Sequence, residues 1–197
     1  MSSAPQPQPW VDGLTIGQAF ARTAQQHPDQ LAAAFTALDD RKTWSELEEI
    51  VARAAKGLLA LGISKGDHVA VWATNVPHWV SLQVATARIG AVLVTVNPAY
   101  RPFELQYVLK QSDAAALFLV DRFKSSDYFE MLAEILPELA AAGDGPVESE
   151  QFPKLRRVVT MQGDSPPGAL SWEEMTRLGE DVEDSALRQA EHPLDPD

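Results

Sequence analysis

Residues 65–96 read KGDHVAVWATNVPHWVSLQVATARIGAVLVTV, and this stretch decides the fold. It contains two short apolar runs, 68–73 and 91–96, separated by a segment from Pro77 to Ile89 that is apolar on most sides. Strands that are apolar on both faces are typical of a parallel sheet covered by helices on both sides. The segment between them has the length of a crossover helix, and Gly90 ends it. The stretch therefore predicts a strand–helix–strand unit.

The same alternation extends toward the N-terminus. Thr15-Ile-Gly-Gln18 fits a capping box, which predicts a helix over 15–26. A short apolar strand is predicted at 31–36, with a hairpin partner at 41–44. Ser45-Glu-Leu-Glu48 reads as a second capping box, opening a helix with one apolar face that Gly62 ends.

Toward the C-terminus the sequence predicts a helix over 102–111, with Phe103, Tyr107 and Val108 facing inward. A third apolar strand follows at 114–120. A helix is predicted over 128–142, although Pro137 should bend or split it. Residues 157–161 form a further short strand, and Ser171-Trp-Glu-Glu174 caps a last short helix.

This order of elements predicts an α/β fold, a doubly wound and mostly parallel sheet with helices on both faces. We divide the chain into a flexible lead-in at 1–13, an α/β layer at 14–178 and an acidic tail or linker at 179–197. The last assignment rests on seven acids against one arginine: Glu180, Asp181, Glu183, Asp184, Glu191, Asp195 and Asp197 against Arg188.

Composition limits the possible functions. The 197 residues have a formal net charge of −12, which argues against a nucleic-acid partner because phosphate binding needs clustered Lys and Arg. No apolar run approaches the roughly 20 residues of a transmembrane helix. The first nine residues lack the basic and apolar regions of a signal peptide. The absence of cysteine excludes disulfides and thiolate metal sites and fits a cytoplasmic protein.

Residue chemistry alone predicts neither a catalytic residue nor a metal site. The glycines match no GxGxxG pattern, no glycine-rich stretch ends in Gly-Lys-Ser/Thr, and no G-x-S-x-G elbow occurs. The four histidines are scattered without metal-ligand spacing. Ser45 is interpreted as a helix cap, Glu48 and Glu49 as a solvated helix face, and Trp72 and Trp79 as core residues.

Several motifs nevertheless resemble those of the adenylate-forming enzymes, in register from about residue 14 to 161. Thr43-Trp-Ser-Glu-Leu47 is similar to the family's T-[YF]-x-E-L element, and Asn75-Val-Pro-His-Trp79 to its N-x-P-x-[WF]. Residues 61–71 resemble its LG…KGDRVAI segment. Residues 87–100, read as ARIGAVLVTVNPAY, resemble its GAV…NP-x-Y segment. The sequence of residues 96–114 resembles that of medium- and long-chain fatty acyl-CoA synthetases more than that of peptide-synthetase adenylation domains.

The resemblance implies the N-terminal part of an ATP-dependent acyl-CoA synthetase. In such enzymes a fatty acid or other carboxylate attacks MgATP to give an acyl-adenylate, and CoA then takes the acyl group after a lid rotation. The resemblance places the loop that holds the ATP phosphates just beyond residue 192, and the lid with its catalytic lysine further on. ATP, Mg and CoA are thus implied for a full-length enzyme. None of them is expected to bind tightly to this chain, which is expected to be inactive.

The resemblance also implies site residues within this sequence. It places Ala99, Tyr100 and Arg101, in the loop after the 91–96 strand, near the CoA nucleotide, with Phe123 and Lys124 close by. Arg101 and Lys124 are cations that could meet a phosphate. The alternative is that both are solvated charges at helix starts.

Two other functions stay open at this point. The first is a non-catalytic interaction or regulatory module built on the same partial fold, marked by a stable partner or by a homodimer through exposed sheet surface. The second is a small nucleotide-binding oxidoreductase, which the missing glycine-rich fingerprint disfavours.

Overall fold

The computed structural model describes residues 11–143, 145–192 and 194–196, so most of the predicted lead-in lies outside the described residues. The strands are β1 (Leu31–Phe35), β2 (Asp40–Thr43), β3 (His68–Trp72), β4 (Val92–Thr95), β5 (Ala114–Leu119), β6 (Arg122–Phe123), β7 (Ser126–Asp127), β8 (Arg157–Thr160) and β9 (Leu170–Ser171). The helices are α1 (Ile16–Gln26), α2 (Trp44–Ala60), α3 (Pro77–Ile89), α4 (Pro102–Ser112), α5 (Tyr128–Ile135), α6 (Trp172–Leu178) and α7 (Asp184–Glu191).

The central sheet has five parallel strands in the order β4-β3-β5-β8-β9. The chain leaves β3 toward β4 on one side, then passes back over β3 to reach β5 and continues to β8. Right-handed crossovers in opposite directions place α3 on one face of the sheet and α4 and α5 on the other. The contacts between helices form two groups. One group contains α1, α2, α3, α6 and α7, and the other contains α4 and α5. The predicted fold class is confirmed.

The core lies where the two helix layers meet the sheet. Strand β5 is buried along its whole length, as expected for a strand covered on both faces. The largest fully buried side chains include Trp72 on β3, Phe118 on β5 and Tyr128 at the start of α5. Trp79 is partly buried against this core. The interpretation of Trp72 as a core residue is confirmed.

The capping box of α2 differs from the prediction. Thr43, not Ser45, caps the helix: its Oγ1 accepts from the backbone N–H of Glu46 at 3.3 Å, and Glu46 Oε2 accepts from the Thr43 N–H at 2.8 Å. The helix begins at Trp44, directly after strand β2, so Ser45 already lies in its first turn. The ends assigned to Gly62 and Gly90 are confirmed, since both glycines have the positive φ that follows a helix.

The inward face of α4 was predicted wrongly. Phe103 and Tyr107 are 77% and 61% exposed, whereas Leu105 and Leu109 are buried. Both pairs have the i, i+4 spacing that places residues on one side of a helix. The crossover from β4 to β5 turns the leucine pair toward the sheet. Val108 is partly buried against the core, as predicted.

Pro137 splits the predicted 128–142 helix. Helix α5 ends at Ile135, and a 3-10 turn, Pro137–Ala141, follows. The cause is that proline lacks the N–H needed to continue the helix and clashes with the preceding turn. The cap predicted at Ser171 is confirmed, with the Ser171 Oγ accepting from the Glu174 N–H at 3.1 Å.

The predicted acidic tail at 179–197 contains a helix. In α7 the side chain of Leu187 is buried, and Glu191 Oε1 accepts from Arg88 Nε on α3 at 2.6 Å. Arg88 Nη1 also donates to Glu48 Oε1 on α2 at 2.8 Å, so Glu48 is not on a solvated face. We call Glu48, Arg88 and Glu191 the ionic cluster. The boundary at residue 178 stays a prediction, but the described part of the tail packs onto the layer.

No helix in the described part of the chain is both long and apolar enough to cross a bilayer.

Candidate functional site

The candidate site lies at the carboxyl edge of the central sheet. Strands β3 and β5 are neighbours. After β3 the chain connects to β4 on one side of the sheet, and after β5 it connects to β8 on the other side. Ligands of doubly wound sheets bind at the carboxyl ends of the strands, at the point where the strand order reverses. Two segments stand at this edge: the loop 96–101 after β4, and the β6–β7 hairpin, 122–127, after β5. They contain all five residues predicted for the site.

The loop is fixed by its own hydrogen bonds. The side-chain oxygen of Asn97 accepts from the Ala99 N–H at 2.9 Å, and its backbone carbonyl accepts from the Tyr100 N–H at 3.0 Å. Arg101 is the N-cap of α4, and its N–H donates to Glu104 Oε2 at 2.9 Å. Ala99 and Arg101 are exposed, and Tyr100 packs partly against the core.

The hairpin presents two further predicted residues. Strands β6 and β7 pair antiparallel, with Phe123 opposite Ser126 and only Lys124 and Ser125 in the turn. Lys124 adopts a left-handed backbone with φ 54°, as the first residue of such a tight turn often does. Its ammonium lies 5.1 Å from the centre of the Phe123 ring, within the range of a cation–π contact.

One side-chain contact joins the loop to the hairpin. Arg101 Nη1 donates to Ser126 Oγ at 2.9 Å, across 25 residues of sequence. The structure thus brings Arg101 to the segment that carries Phe123 and Lys124, although the contact runs through Ser126. Lys124 instead lies over its own neighbour.

Beneath these segments is a pair of stacked aromatic rings. The rings of Trp72 and Tyr128 are 3.6 Å apart between centroids and 1° from parallel, and both side chains are fully buried. Trp72 Nε1 donates to the carbonyl of Asn97 at 3.2 Å, and the Tyr128 hydroxyl donates to the carbonyl of Pro98 at 2.6 Å. Burial raises the pKa of Tyr128 to about 12, so the hydroxyl remains a donor over the ordinary pH range.

The exposed charge of the site is positive in an otherwise acidic chain. Arg101, Arg122 and Lys124 belong to these two segments, which contain one acid, Asp127, whereas the whole sequence has a formal net charge of −12. Arg122 Nε donates to Asp121 Oδ2 at 3.1 Å, and both side chains are largely open to solvent. Guanidinium and ammonium groups are the usual ligands of phosphate. The side chains present therefore fit a phosphorylated ligand, and their roles stay predictions.

Sequence reasoning missed Ser126, Arg122 and the Trp72–Tyr128 contact with the loop. The hairpin turn contains neither Gly nor Asn, the residues by which short hairpins are recognised. Trp72 and Tyr128 are 56 positions apart in the sequence, and nothing local indicates that their rings meet. Only Arg122 carried a signal, as a cation beside Phe123 and Lys124.

A second depression lies elsewhere, between the β1–β2 hairpin, α2, α3 and α6. This cleft of about 260 Å³ is lined by both signs of charge, including Lys42, Arg53 and Glu173. His78 also lines it, with its ring centroid 4.5 Å from that of Trp172. Burial lowers the pKa of His78 more than the nearby Glu173 and Asp40 raise it. Among the described residues, no group of three His, Asp or Glu side chains could hold a metal ion.

The sequence matches the family described as AMP-binding enzyme over residues 20–194. It is 39% identical over 93% of its length to YngI of Bacillus subtilis, which is named as an acyl-CoA synthetase, and covers 33% of that protein. It is 40% identical over 86% of its length to human mitochondrial medium-chain acyl-CoA ligase ACSF2, and covers 27% of it.

A solved structure also resembles the fold. Acetoacetyl-CoA synthetase from Streptomyces lividans superposes with a TM-score of 0.65 at 28% identity, with 83% of this chain and 25% of that chain covered. The chain spans about a third or less of the length of the curated relatives named above, at 33% and 27%.

Proposed function

Because the chain belongs to the AMP-binding enzyme family, matched over residues 20–194, we propose that it is the N-terminal part of an ATP-dependent acyl-CoA synthetase. Such an enzyme activates a fatty acid or other carboxylate as an acyl-adenylate and transfers the acyl group to CoA. The names of the two curated relatives support this reaction class.

We further propose that the loop 97–101 and the β6–β7 hairpin bind the nucleotide end of CoA. The carrying observation is the Arg101–Ser126 hydrogen bond of 2.9 Å, which places the loop and the cationic hairpin side by side at the carboxyl edge. Arg101 and Lys124 then meet phosphate groups, and Tyr100 and Phe123 offer aromatic surface to the base. Ala99 contributes a small side chain at the open end of the loop.

Binding of CoA to the 197-residue chain tests this site directly. Isothermal titration of CoA, dephospho-CoA and pantetheine separates phosphate from pantetheine contributions. We expect Arg101→Ala to weaken CoA binding about 10- to 150-fold, because hydrogen bonds to charged groups contribute about 1.5–3 kcal/mol. Pantetheine, which lacks the nucleotide, should bind both proteins equally weakly.

Lys110→Ala is the matched control, since it removes the same charge from the other end of α4, at an exposed position. An equal loss of CoA affinity in Lys110→Ala would mean that the loss in Arg101→Ala comes only from the change in net charge. Absence of CoA binding to the unmodified chain would remove the site assignment.

ATP and Mg are implied for the full-length enzyme, but the site described above concerns CoA alone. The resemblance implies that a Thr-Ser-Gly-Thr-Thr-Gly-x-Pro-Lys-Gly loop holds the ATP phosphates, and no stretch of the 197 residues matches it. We therefore propose that the chain alone does not release pyrophosphate from ATP.

A cytoplasmic location, inferred from the absence of cysteine, also stays a prediction, and the human relative is mitochondrial.

The alternative function is a non-catalytic module that pairs with a second copy of itself. It is favoured by the open edge of β4, where Val92 is 45% exposed, and by the exposed Phe103 and Tyr107 on α4. An uncovered sheet edge offers unpaired backbone groups to another strand. Sedimentation at rising concentration should then show a dimer that Val92→Lys abolishes, whereas a monomer at all concentrations would exclude this function.

A further inference from the structure

We infer that Trp72 and Tyr128 are positioning residues for the candidate site, fixing where Arg101 stands relative to the β6–β7 hairpin. We call the two residues the aromatic anchor. The inference rests on the proposed function, because it concerns the same nucleotide site. It concerns two buried residues that do not themselves touch a ligand.

The two rings carry polar groups at positions where filling the core requires none. Both side chains are fully buried, and phenylalanine would occupy much of the same space. The indole N–H and the phenol hydroxyl instead reach the carbonyls of Asn97 and Pro98, at 3.2 and 2.6 Å. The two parallel rings thus bind the carbonyls of two consecutive loop residues from the core side of the loop.

Tyr128 is also bound to the base of the β6–β7 hairpin. It follows β7 directly, and its backbone N–H donates to the carbonyl of Asp121 at 2.8 Å, just before β6 begins. Asp127 caps α5 by accepting from the N–H groups of Phe129 and Glu130. The backbone of Tyr128 therefore closes the base of the hairpin while its hydroxyl holds the loop.

Fixing residues 97 and 98 also fixes the backbone of Arg101. The N–H groups of Ala99 and Tyr100 bond to Asn97, and that of Arg101 bonds to Glu104 in α4. These bonds make the loop a short rigid unit whose lower end is the pair of anchored carbonyls. If the anchor loosens, the distance between the Arg101 guanidinium and Ser126 is no longer fixed. The site then loses its preorganisation for a ligand.

Tyr128→Phe tests the inference, because it removes one hydroxyl and keeps the stacked ring. We expect amide hydrogen exchange at Ala99, Tyr100 and Arg101 to accelerate about 2- to 10-fold, the range given by one buried neutral hydrogen bond. The readout is residue-resolved exchange by NMR on the whole 197-residue chain. CoA binding, measured by titration, should weaken by about 2- to 10-fold in the same variant.

Two controls separate positioning from general destabilisation. Tyr107→Phe removes a hydroxyl from a side chain that is 61% exposed and should leave the loop unchanged. Val159→Ala destabilises the buried strand β8 and should accelerate exchange in the sheet without singling out the loop. The inference is overturned if Tyr128→Phe leaves loop exchange unchanged, or if Val159→Ala accelerates it equally.

The same measurements keep the two proposals apart. If Tyr128→Phe accelerates loop exchange but the unmodified chain binds no CoA, the ligand assignment fails while the anchoring of the loop stands. If CoA binds and Arg101→Ala weakens it, but Tyr128→Phe changes neither exchange nor affinity, the site stands and the anchor is overturned.

Discussion

The aromatic anchor and the ionic cluster both join segments that are far apart in the sequence, by different physical means. Trp72 and Tyr128 are fully buried and use neutral donors on backbone carbonyls. The Arg88 side chain is 10% exposed, whereas Glu48 and Glu191 are 29% and 31% exposed. The anchor lies under the candidate site and the cluster holds α7.

The difference concerns what each region requires of its surroundings. Neutral groups that are buried with their hydrogen bonds made add apolar packing at little electrostatic cost. Buried charges must recover a large loss of hydration, and one Glu48 oxygen is buried without a hydrogen-bond partner among the described residues. We therefore expect the anchor to dominate stability and the cluster to respond to pH.

The largest expected effect comes from removing the indole of the anchor. Trp72→Ala should lower the free energy of unfolding by about 3–5 kcal/mol, because a fully buried aromatic side chain leaves a cavity. Urea unfolding followed by circular dichroism measures it. Trp79→Ala, at a partly buried tryptophan, should cost clearly less. Equal losses in the two variants would contradict the prediction that Trp72 contributes more to stability than Trp79.

Removing the cation of the ionic cluster should have the next largest effect. Arg88→Met leaves Glu48 and Glu191 facing each other without compensation, and we expect a loss of about 2–3 kcal/mol. This is below the 3–5 kcal/mol of fully buried pairs because both carboxylates reach solvent. Urea unfolding of Arg53→Met, at an exposed arginine of α2, should show a change within about 0.5 kcal/mol. A loss in Arg53→Met as large as in Arg88→Met would refute the role of the cluster.

The smallest effect is a pH dependence confined to the cluster. Burial raises the pKa of Glu48 above 4.5 more than Arg88 lowers it, and Glu191 raises it further. A raised carboxyl pKa means that the folded state holds a proton that the unfolded chain releases. Its contribution to stability is therefore full below pH 4.5 and is lost as pH rises through the folded pKa.

Glu48→Gln removes that titration, so the free energy of unfolding of the unmodified chain minus that of the variant should fall as pH rises above 4.5. Unfolding at several pH values between 4 and 7 measures this difference. Glu49→Gln, at the exposed neighbouring position, should give no such trend. A difference that rises with pH would mean that the Arg88 attraction outweighs burial. Tyr128 keeps its proton throughout, since its pKa is raised to about 12.

Sequence patterns predicted the elements of the sheet because strands covered on both faces need uninterrupted apolar runs. Strands β3 and β5 are buried strands of this kind, and α3 connects β3 to β4, an apolar edge strand whose Val92 is 45% exposed. Which face of α4 turns inward was not predictable from spacing, because Phe103 and Tyr107 have the same separation as Leu105 and Leu109. The choice depends on the sheet beneath the helix, which the local sequence does not contain.

The site was predictable only in part, for a similar reason. The resemblance indicated the loop after β4 and the segment after β5, and these two segments do meet through Arg101 and Ser126. The stacked rings below them depend on a tertiary contact between β3 and the start of α5. The Glu48–Arg88 bond likewise spans 40 positions and gives no signal in the pattern of α2.

The span of the Arg88–Glu191 bond bears on how the chain folds as it is made. The two residues are 103 positions apart. At roughly 5–20 residues per second, the ribosome adds Glu191 about 5–20 s after Arg88. Helices α2 and α3 can pair through Glu48 and Arg88 in that interval, since both are already synthesised. We therefore expect helix α7 to dock after α2 and α3 have paired.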